Sequence, residues 1–246
     1  MIATATVGSY NYLAANDFIC SSSCGSSAMN FYPKPIKLHD CREHGLGSEL
    51  FLVEGDSASK TVARARDSRF QAVLPMQGKP MNAMKASRNA AEKNELFRIL
   101  IDCLGADWGD DFDLQAVRYE RVILLFDPDA DGIHCGALML MFFFRWMRPL
   151  LESGRLCVVR PPLYEITSKD YTDTIHAYSE DHYRKLRDAL DEKKVSFKGQ
   201  RYRGLASMND DTLSKTCLDP KTRRINRLEN DDAQAAIAAL GGKTIG

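Results

Sequence analysis

The sequence predicts an α/β fold in which a parallel sheet is flanked by helices and followed by a small α+β C-terminal subdomain. Three observations lead to this prediction. Apolar runs alternate with segments of helical spacing in the order β-α-β-α-β-α-β, which favours a parallel sheet with right-handed crossovers. Two of these runs stop at carboxylates, Glu54 and Asp127, as strands do at the ligand-binding edge of an open sheet. From Tyr171 onward the segments become shorter and more highly charged.

The composition is that of a soluble globular protein from a reducing compartment. The chain has 246 residues, 44% hydrophobic and 27% charged, with a formal net charge of zero. Any nucleic-acid contact must therefore come from a local basic face. Seven scattered cysteines without a C-x-x-C pair predict free thiols, and neither a disulfide framework nor a zinc site. The longest apolar run, 137–144, is too short to cross a bilayer, and the N-terminus lacks a signal peptide's basic region. We expect a cytoplasmic protein with no membrane partner.

Three parts of the chain are predicted. Residues 1–36 are small and polar with few charges, which predicts a poorly ordered leader in which Cys20 and Cys24 are incidental thiols. Residues 37–168 are expected to form the α/β domain, and residues 169–246 the tail subdomain.

The first carboxylate follows a short predicted strand, 50–53. Glu54 ends this strand, Gly55 permits a tight turn, and a helix is predicted over 57–65. A carboxylate beside a helix N-terminus is electrostatically favourable, so a purely structural Glu54 is the alternative interpretation. A second strand is predicted over 71–76.

A loop over 77–82 carries a lysine and an amide, Lys79 and Asn82. The spacing of the apolar residues beyond it predicts a single helix over 90–104. An acidic loop, 107–113, leads to the next strand.

The third predicted strand, 122–126, ends at a cluster of aspartates. Asp127, Asp129 and Asp131 place three negative charges within five residues, which favours a bound cation. Hard oxygen ligands without a thiolate or paired imidazole favour Mg²⁺, for which Mn²⁺ or Ca²⁺ could substitute. An EF-hand loop is excluded because its twelfth position is Leu138 and not a glutamate. The other alternative to a cation site is an acidic turn exposed to solvent. The earlier strand that also ends at a carboxylate, Glu54, argues against this alternative.

A single helix is predicted from Gly132 to about Glu152, followed by a strand over 156–166 that Pro161-Pro162 interrupts. Because parallel strands end at the same edge of a sheet, Glu54 and the aspartate cluster are expected to form one acidic metal site. Such a site suits phosphoryl transfer, in which a metal ion neutralises developing charge.

The tail is predicted to contain strands over 175–178 and 195–202 and helices over 180–193 and 210–217. Its basic residues are Arg201, Arg203, Lys215, Arg223, Arg224 and Arg227. A solvated basic face is the simpler interpretation of these residues, and contact with phosphates is the more specific one.

Two motifs together resemble the TOPRIM domain: E-G-D-S-A from Glu54, and D-x-D-x-D-G-x-H from Asp127. The predicted sheet would then be a TOPRIM-type parallel sheet. From Lys37 to about Leu240 the chain resembles the C-terminal half of type IIA topoisomerase B subunits, the gyrase B and topoisomerase IV B family. The further sequence motifs on which this resemblance rests are Lys37-Leu38-His39-Asp40-Cys41, Leu74-Pro75-Met76-Gln77-Gly78-Lys79-Pro80-Met81-Asn82, Pro161-Pro162-Leu163-Tyr164, Tyr202-Arg203-Gly204-Leu205, Met208-Asn209, Asp219-Pro220 and Arg223-Arg224.

The resemblance implies a role for each acidic residue. Glu54 would be the general acid/base and a metal ligand. Asp127 and Asp129 would hold Mg²⁺, and Asp131 would assist at a second metal position. The activity implied is that of an ATP-hydrolysing type II DNA topoisomerase, an isomerase that changes DNA topology.

The resemblance also implies partners. Lys79 and Asn82 would contact double-stranded DNA near the cleaved bond, and His134 would have a supporting role. The nucleophilic tyrosine of the family belongs to a type IIA topoisomerase A subunit, which is the expected protein partner. Family members carry an ATPase domain before this region, so we expect no ATP site within this chain and a separate ATPase chain as a possible further partner.

Two other functions stay open at this point. Ala206 and Ser207 stand where the family usually has Gly and Glu, which is consistent with a non-catalytic remnant that binds DNA or a subunit. A stand-alone TOPRIM nuclease is the other possibility, and metal-dependent nicking by this chain alone would distinguish it.

Overall fold

The computed structural model describes residues 37–241, so the predicted leader lies outside the described residues. The strands are β1 (Gly45–Glu54), β2 (Gln71–Met76), β3 (Tyr119–Leu124), β4 (Leu156–Val159), β5 (Tyr164–Ser168), β6 (Ile175–Ala177), β7 (Phe197–Arg201) and β8 (Ile225–Arg227). The α-helices are α1 (Gly55–Ala65), α2 (Arg88–Glu92), α3 (Glu95–Leu104), α4 (Ala130–Trp146), α5 (Arg148–Glu152), α6 (Glu180–Glu192), α7 (Asp210–Leu213) and α8 (Asn230–Leu240). None of these helices has both the length and the apolar character needed to cross a bilayer.

Five strands form the main sheet in the order β2-β1-β3-β4-β8. The first four are parallel to one another, which confirms the predicted parallel sheet. β8 pairs antiparallel to β4, with Asn226 opposite Val158. Neither β8 nor α8 is predicted from the sequence. The C-terminal part of the chain therefore returns to complete the main sheet.

The central strand β1 is buried on both faces. Leu50 and Leu52 pack into one apolar cluster with residues of α3, α4 and α8, whereas Phe51 and Val53 pack into a second cluster with residues of α1 and α7. All four side chains are completely buried. Successive side chains of a strand point to opposite faces, so a continuous apolar run is what burial between two layers of helices requires.

Two predictions of a single continuous helix are wrong. The segment 90–104 forms two helices, because α2 ends at Glu92 and the Asn94 side chain caps a new helix, α3, by accepting a hydrogen bond from the Phe97 N–H. The helix expected to reach residue 152 divides at Met147 into α4 and α5, because Pro149 has no N–H with which to continue the helical ladder.

The prediction of one strand over 156–166 is also wrong, because this segment forms two strands that belong to different sheets. β4 belongs to the main sheet, whereas β5 is the centre of a separate antiparallel sheet in the order β6-β5-β7. Pro161-Pro162 lies between them, where proline interrupts strand pairing. Tyr164 of β5 stacks on Tyr183 of α6 with ring centroids 4.1 Å apart, and this contact packs the helix against the small sheet.

The tail contributes strands to both sheets, β8 to the main sheet and β6 and β7 to the small sheet. The predicted helix over 210–217 forms α7 and a turn of π-helix, Ser214–Leu218. Ala233 and Ile237 of α8 are buried in the same apolar cluster as α4. The division of the chain at residue 168 stays a prediction.

Candidate metal site at the carboxyl edge of the sheet

Two of the predicted site residues follow neighbouring strands. Glu54 is the last residue of β1, and Asp127 comes three residues after the end of β3. These strands are parallel, with Leu52 opposite Leu124, so both carboxylates lie at the edge where the parallel strands end, here called the carboxyl edge. The expectation that they share one edge is confirmed, while their role as metal ligands stays a prediction.

The Glu54 carboxylate is coupled electrostatically to the aspartate cluster. It is partly exposed at the N-terminus of α1 and makes no capping hydrogen bond with that helix. Its pKa is raised, first by burial and then by repulsion from Asp127, Asp129 and Asp131, while Lys79 opposes the shift. The four carboxylates therefore repel one another when ionised, and a bound cation would relieve this repulsion.

Asp127 is half-buried, and its carboxylate is held by a hydrogen bond from the backbone of the tail. The Leu205 N–H donates a hydrogen bond to its Oδ1 at 2.7 Å. Burial raises the pKa of Asp127, the hydrogen bond from Leu205 opposes the shift, and the nearby charge of Asp129 adds to it. This carboxylate is one of the points at which the tail contacts the carboxyl edge of the main sheet.

Asp129 and Asp131 lie at the N-terminus of α4. Asp129 caps the helix by accepting a hydrogen bond from the Gly132 N–H at 2.9 Å. Asp131, in the first turn, is exposed and pairs with Lys79, whose Nζ lies 3.6 Å from Oδ1. His134 follows on the same helix and is partly buried. Both aspartates are thus at the positive end of the helix dipole and open to solvent.

The two predicted DNA-binding residues differ in their surroundings. Lys79 is half-exposed beside the acidic cluster. The Asn82 side chain is engaged within the chain: its Nδ2 donates to the Gly241 carbonyl oxygen at 3.1 Å, and its Oδ1 accepts from the Met84 N–H at 3.0 Å. Asn82 therefore ties its loop to the end of α8, and DNA contact by either residue stays a prediction.

The donor set fits a hard divalent cation. Every donor is a carboxylate oxygen, the ligand type that Mg²⁺, Mn²⁺ and Ca²⁺ prefer. Burial is the first cause of the raised pKa of Glu54 and of Asp127, and repulsion from neighbouring carboxylates adds to it. Within residues 37–241, three potential ligand atoms within 4.8 Å of one another occur only in a group formed by Asp40, Cys41 and His44. The four carboxylates thus line the carboxyl edge without converging on one point.

The Asp40, Cys41 and His44 group already contains a cation. The Arg118 guanidinium donates to Asp40 Oδ2 at 2.7 Å and lies 2.6 Å from His44 Nε2. Burial alone would raise the pKa of Asp40, but hydrogen bonds from Tyr119, Arg118 and His44 outweigh it and lower the pKa to about 2. The guanidinium therefore already contacts two of the three potential ligands and compensates the charge of Asp40.

Three tail residues have roles that sequence reasoning missed. Gly204 and Leu205 contact Asp127. In the sequence they stand out only as part of a motif shared with the topoisomerase family, without a role of their own. Arg223, expected on the basic face, is instead buried against Glu49, so its assignment to a solvated or phosphate-binding face is wrong. The sequence signal for the first two was Gly204 itself, because glycine is the residue that permits close approach of the backbone to another group.

The fold and the acidic edge together define a class of protein. A parallel sheet with a glutamate at the end of one strand and aspartates after its neighbour is the arrangement of a Toprim domain, and the Toprim domain family model matches residues 49–161. A second family model, DNA gyrase B subunit, carboxyl terminus, matches residues 193–243. The chain belongs to the family of type IIA topoisomerase B subunits, over the region that carries these two domains.

The curated relatives agree with this assignment. The chain is similar to the B subunit of DNA gyrase from Thermotoga maritima, with 42% identity over 203 residues that cover 82% of this chain and 31% of the relative. It is 38% identical to the B subunit of DNA gyrase from Halalkalibacterium halodurans, covering 85% of this chain and 33% of the relative. It is also 38% identical to the B subunit of DNA topoisomerase 4 from Enterococcus faecalis, covering 77% of this chain and 27% of the relative. The chain spans about a third of the length of these relatives.

Proposed function

We propose that this chain supplies the acidic, magnesium-binding half of a type II topoisomerase centre that cleaves and religates DNA. A tyrosine-bearing A subunit would supply the nucleophile. The observation that carries the proposal is the grouping of Glu54 with three aspartates at one edge of the sheet, where their mutual repulsion calls for a cation. The similarity to the B subunits of gyrase and topoisomerase 4 supports the choice of reaction.

In this proposal Glu54, Asp127 and Asp129 hold Mg²⁺, and Asp131 contributes at a second metal position. Mn²⁺ or Ca²⁺ would bind the same oxygen ligands. The ion would supply charge neutralisation and orientation of the leaving oxygen when bound. The capping role of Asp129 and the Leu205 hydrogen bond to Asp127 would hold two of the ligands in place before an ion arrives.

Glu54 would also serve as the general acid/base. Without a metal ion its pKa is raised, first by burial and then by the neighbouring aspartates, so that its carboxyl group gains a proton more readily than an isolated glutamate would. Lys79, on the loop after β2 and beside the cluster, would contact a phosphate of double-stranded DNA and counter the negative charge of the edge.

The test is cleavage of supercoiled plasmid in Mg²⁺, by this chain with and without a type IIA A subunit. We expect linear DNA with covalently attached A subunit only in the mixture. Asp129→Asn should abolish this product while leaving the fold intact, because asparagine also caps helices well. Asp110→Asn, at an exposed acidic turn, is the matched control and should cleave like the parent.

Each other result points to a different function. Full cleavage by Asp129→Asn would refute the metal-ligand assignment. Binding to DNA and to the A subunit without cleavage would favour the non-catalytic remnant. Metal-dependent nicking by this chain alone, with no protein left on the DNA, would favour the stand-alone nuclease.

A further inference from the structure

A turn from the tail lies directly against the Asp127 carboxylate. The Leu205 N–H donates to Oδ1 at 2.7 Å. Gly204, just before it, has a φ of +126°, and a Cβ built there would lie 2.5 Å from Oδ2 and 2.9 Å from Cγ of Asp127. Only a residue without a side chain allows the backbone to come this close to the carboxylate.

The turn is held in shape by its own hydrogen bonds. The Ser207 Oγ donates to the Gly204 carbonyl oxygen at 2.7 Å and accepts from the Arg203 N–H at 2.9 Å. The Ser207 N–H donates to the same carbonyl oxygen at 3.0 Å. The direction of the Leu205 N–H is therefore set by the turn and not by the carboxylate it meets.

The turn is also fixed relative to the main sheet. Tyr202, Leu205 and Met208 are buried in the apolar cluster that contains Val53. Val53 immediately precedes Glu54 in β1, so the cluster connects the turn to the strand that carries the second predicted ligand. The turn and the two acidic strand ends therefore form one packed unit.

We infer that the Gly204–Leu205 turn is a positioning element that orients the Asp127 carboxylate for divalent metal ions. One carboxylate oxygen accepts a fixed N–H and the other lies against Gly204, so the side chain is confined to one orientation and an ion meets a pre-oriented ligand. Groups that orient metal ligands in this way typically contribute 10–100-fold to metal affinity. The inference rests on the proposed function, because it assumes that Asp127 is a ligand.

The test is Mn²⁺ affinity measured by calorimetry and by electron paramagnetic resonance of free Mn²⁺. Gly204→Ala should weaken Mn²⁺ binding about 10–100-fold, while DNA affinity in EDTA stays unchanged. The matched control is Gly47→Ala, since Gly47 also has a positive φ (+85°) but a Cβ there would meet nothing within 4 Å. This control carries the strain of a side chain at positive φ without touching the acidic edge, and it should bind Mn²⁺ like the parent.

A second variant keeps the test decisive if Gly204→Ala does not fold. Replacing Leu205 by the corresponding α-hydroxy acid turns the N–H into an ester oxygen and leaves every side chain in place. It should also weaken Mn²⁺ binding, by about 10-fold, at an unchanged circular dichroism spectrum. Loss of fold alone would lower the spectrum together with DNA binding, and would not produce this selective change.

The outcomes separate the inference from the proposed function. Unchanged or tighter Mn²⁺ binding in the folded variants, when binding by the parent depends on Asp129, would overturn the positioning role alone. Absence of Mn²⁺ binding by the parent, or binding that Asp129→Asn leaves intact, would overturn the metal site itself and the inference with it.

Discussion

Glu49 and Arg223 form a buried ion pair that fastens the tail to the main sheet. Their side chains are 2% and 1% exposed. Both Nη atoms of Arg223 donate to the carboxylate, Nη1 to Oε2 at 2.7 Å, and the Gln71 Nε2 donates to the same Oε2 at 3.0 Å. Arg121, which is more exposed, lies 3.6 Å from Oε1. The carboxylate is thus surrounded by donors from the sheet and from the loop before β8.

Glu49→Gln should destabilise the protein strongly. The substitution leaves the Arg223 cation buried, with the Leu218 carbonyl oxygen as a remaining partner. Removing one member of a buried ion pair costs about 3–5 kcal/mol. In a domain of this size each kcal/mol lowers Tm by about 2–4 °C, so we expect a decrease of about 6–20 °C. Urea unfolding followed by circular dichroism measures the free energy directly.

The matched control is Asp210→Asn. Arg64 donates three hydrogen bonds to the Asp210 carboxylate at 2.6–3.0 Å, but the two side chains are 62% and 47% exposed. Exposed pairs contribute about 0–1 kcal/mol. The double variant Glu49→Gln with Arg223→Met should recover part of the lost stability, because it removes the unpaired charge. Equal losses in Glu49→Gln and Asp210→Asn would refute the argument that burial determines the cost.

Two further predictions concern a close contact and acid stability. Gly132→Ala should cost about 1–3 kcal/mol in the urea assay, because its Cβ would lie 2.1 Å from the Asp127 carbonyl oxygen. In the same helix, Gly136→Ala should be neutral or stabilising, since its Cβ would meet Phe126 at an ordinary 3.5 Å; equal losses in both variants would contradict the steric argument. The pKa of Asp40 is lowered from 3.8 to about 2 by folding, so its stabilising contribution is complete above pH 3.8 and is lost as the pH falls toward 2. Asp40→Asn should be less stable at pH 6 and show a shallower decrease over that range in urea unfolding at stepped pH; a parallel decrease in both proteins would contradict it.

Much of the carboxyl edge follows from local sequence. The run Leu50 to Val53 predicts a strand buried on both faces, and its end at Glu54 is visible as a change from apolar to charged residues. The same holds for the strand before Asp127. Parallel β-α-β connections bring strand ends to one edge irrespective of the details of packing. The position of the candidate site was therefore predictable from these two motifs.

The points at which helices are interrupted were less predictable, because side-chain and backbone hydrogen bonding there competes with the apolar periodicity. The apolar spacing of 90–104 is helical throughout, yet the Asn94 side chain starts a new helix inside it. A similar conflict arises at Pro149, which lies in a continuous apolar pattern but lacks the N–H that the pattern needs. In both places hydrogen bonding of a single residue overrides the periodicity of its neighbours.

Contacts between distant segments were decided only by the tertiary structure. The hydrogen bond from Leu205 to Asp127 joins residues 78 positions apart, and nothing in either neighbourhood indicates the other. Arg223 belongs by composition to a basic surface, but the pairing of β8 with β4 carries its loop to the buried Glu49. The amino-acid sequence by itself determined the strands and the acidic residues at their ends, because apolar periodicity and the onset of charge are local properties. Which backbone N–H meets a carboxylate, and which arginine is buried, depends on the close packing of segments far apart in the chain, and only the folded structure specifies that packing.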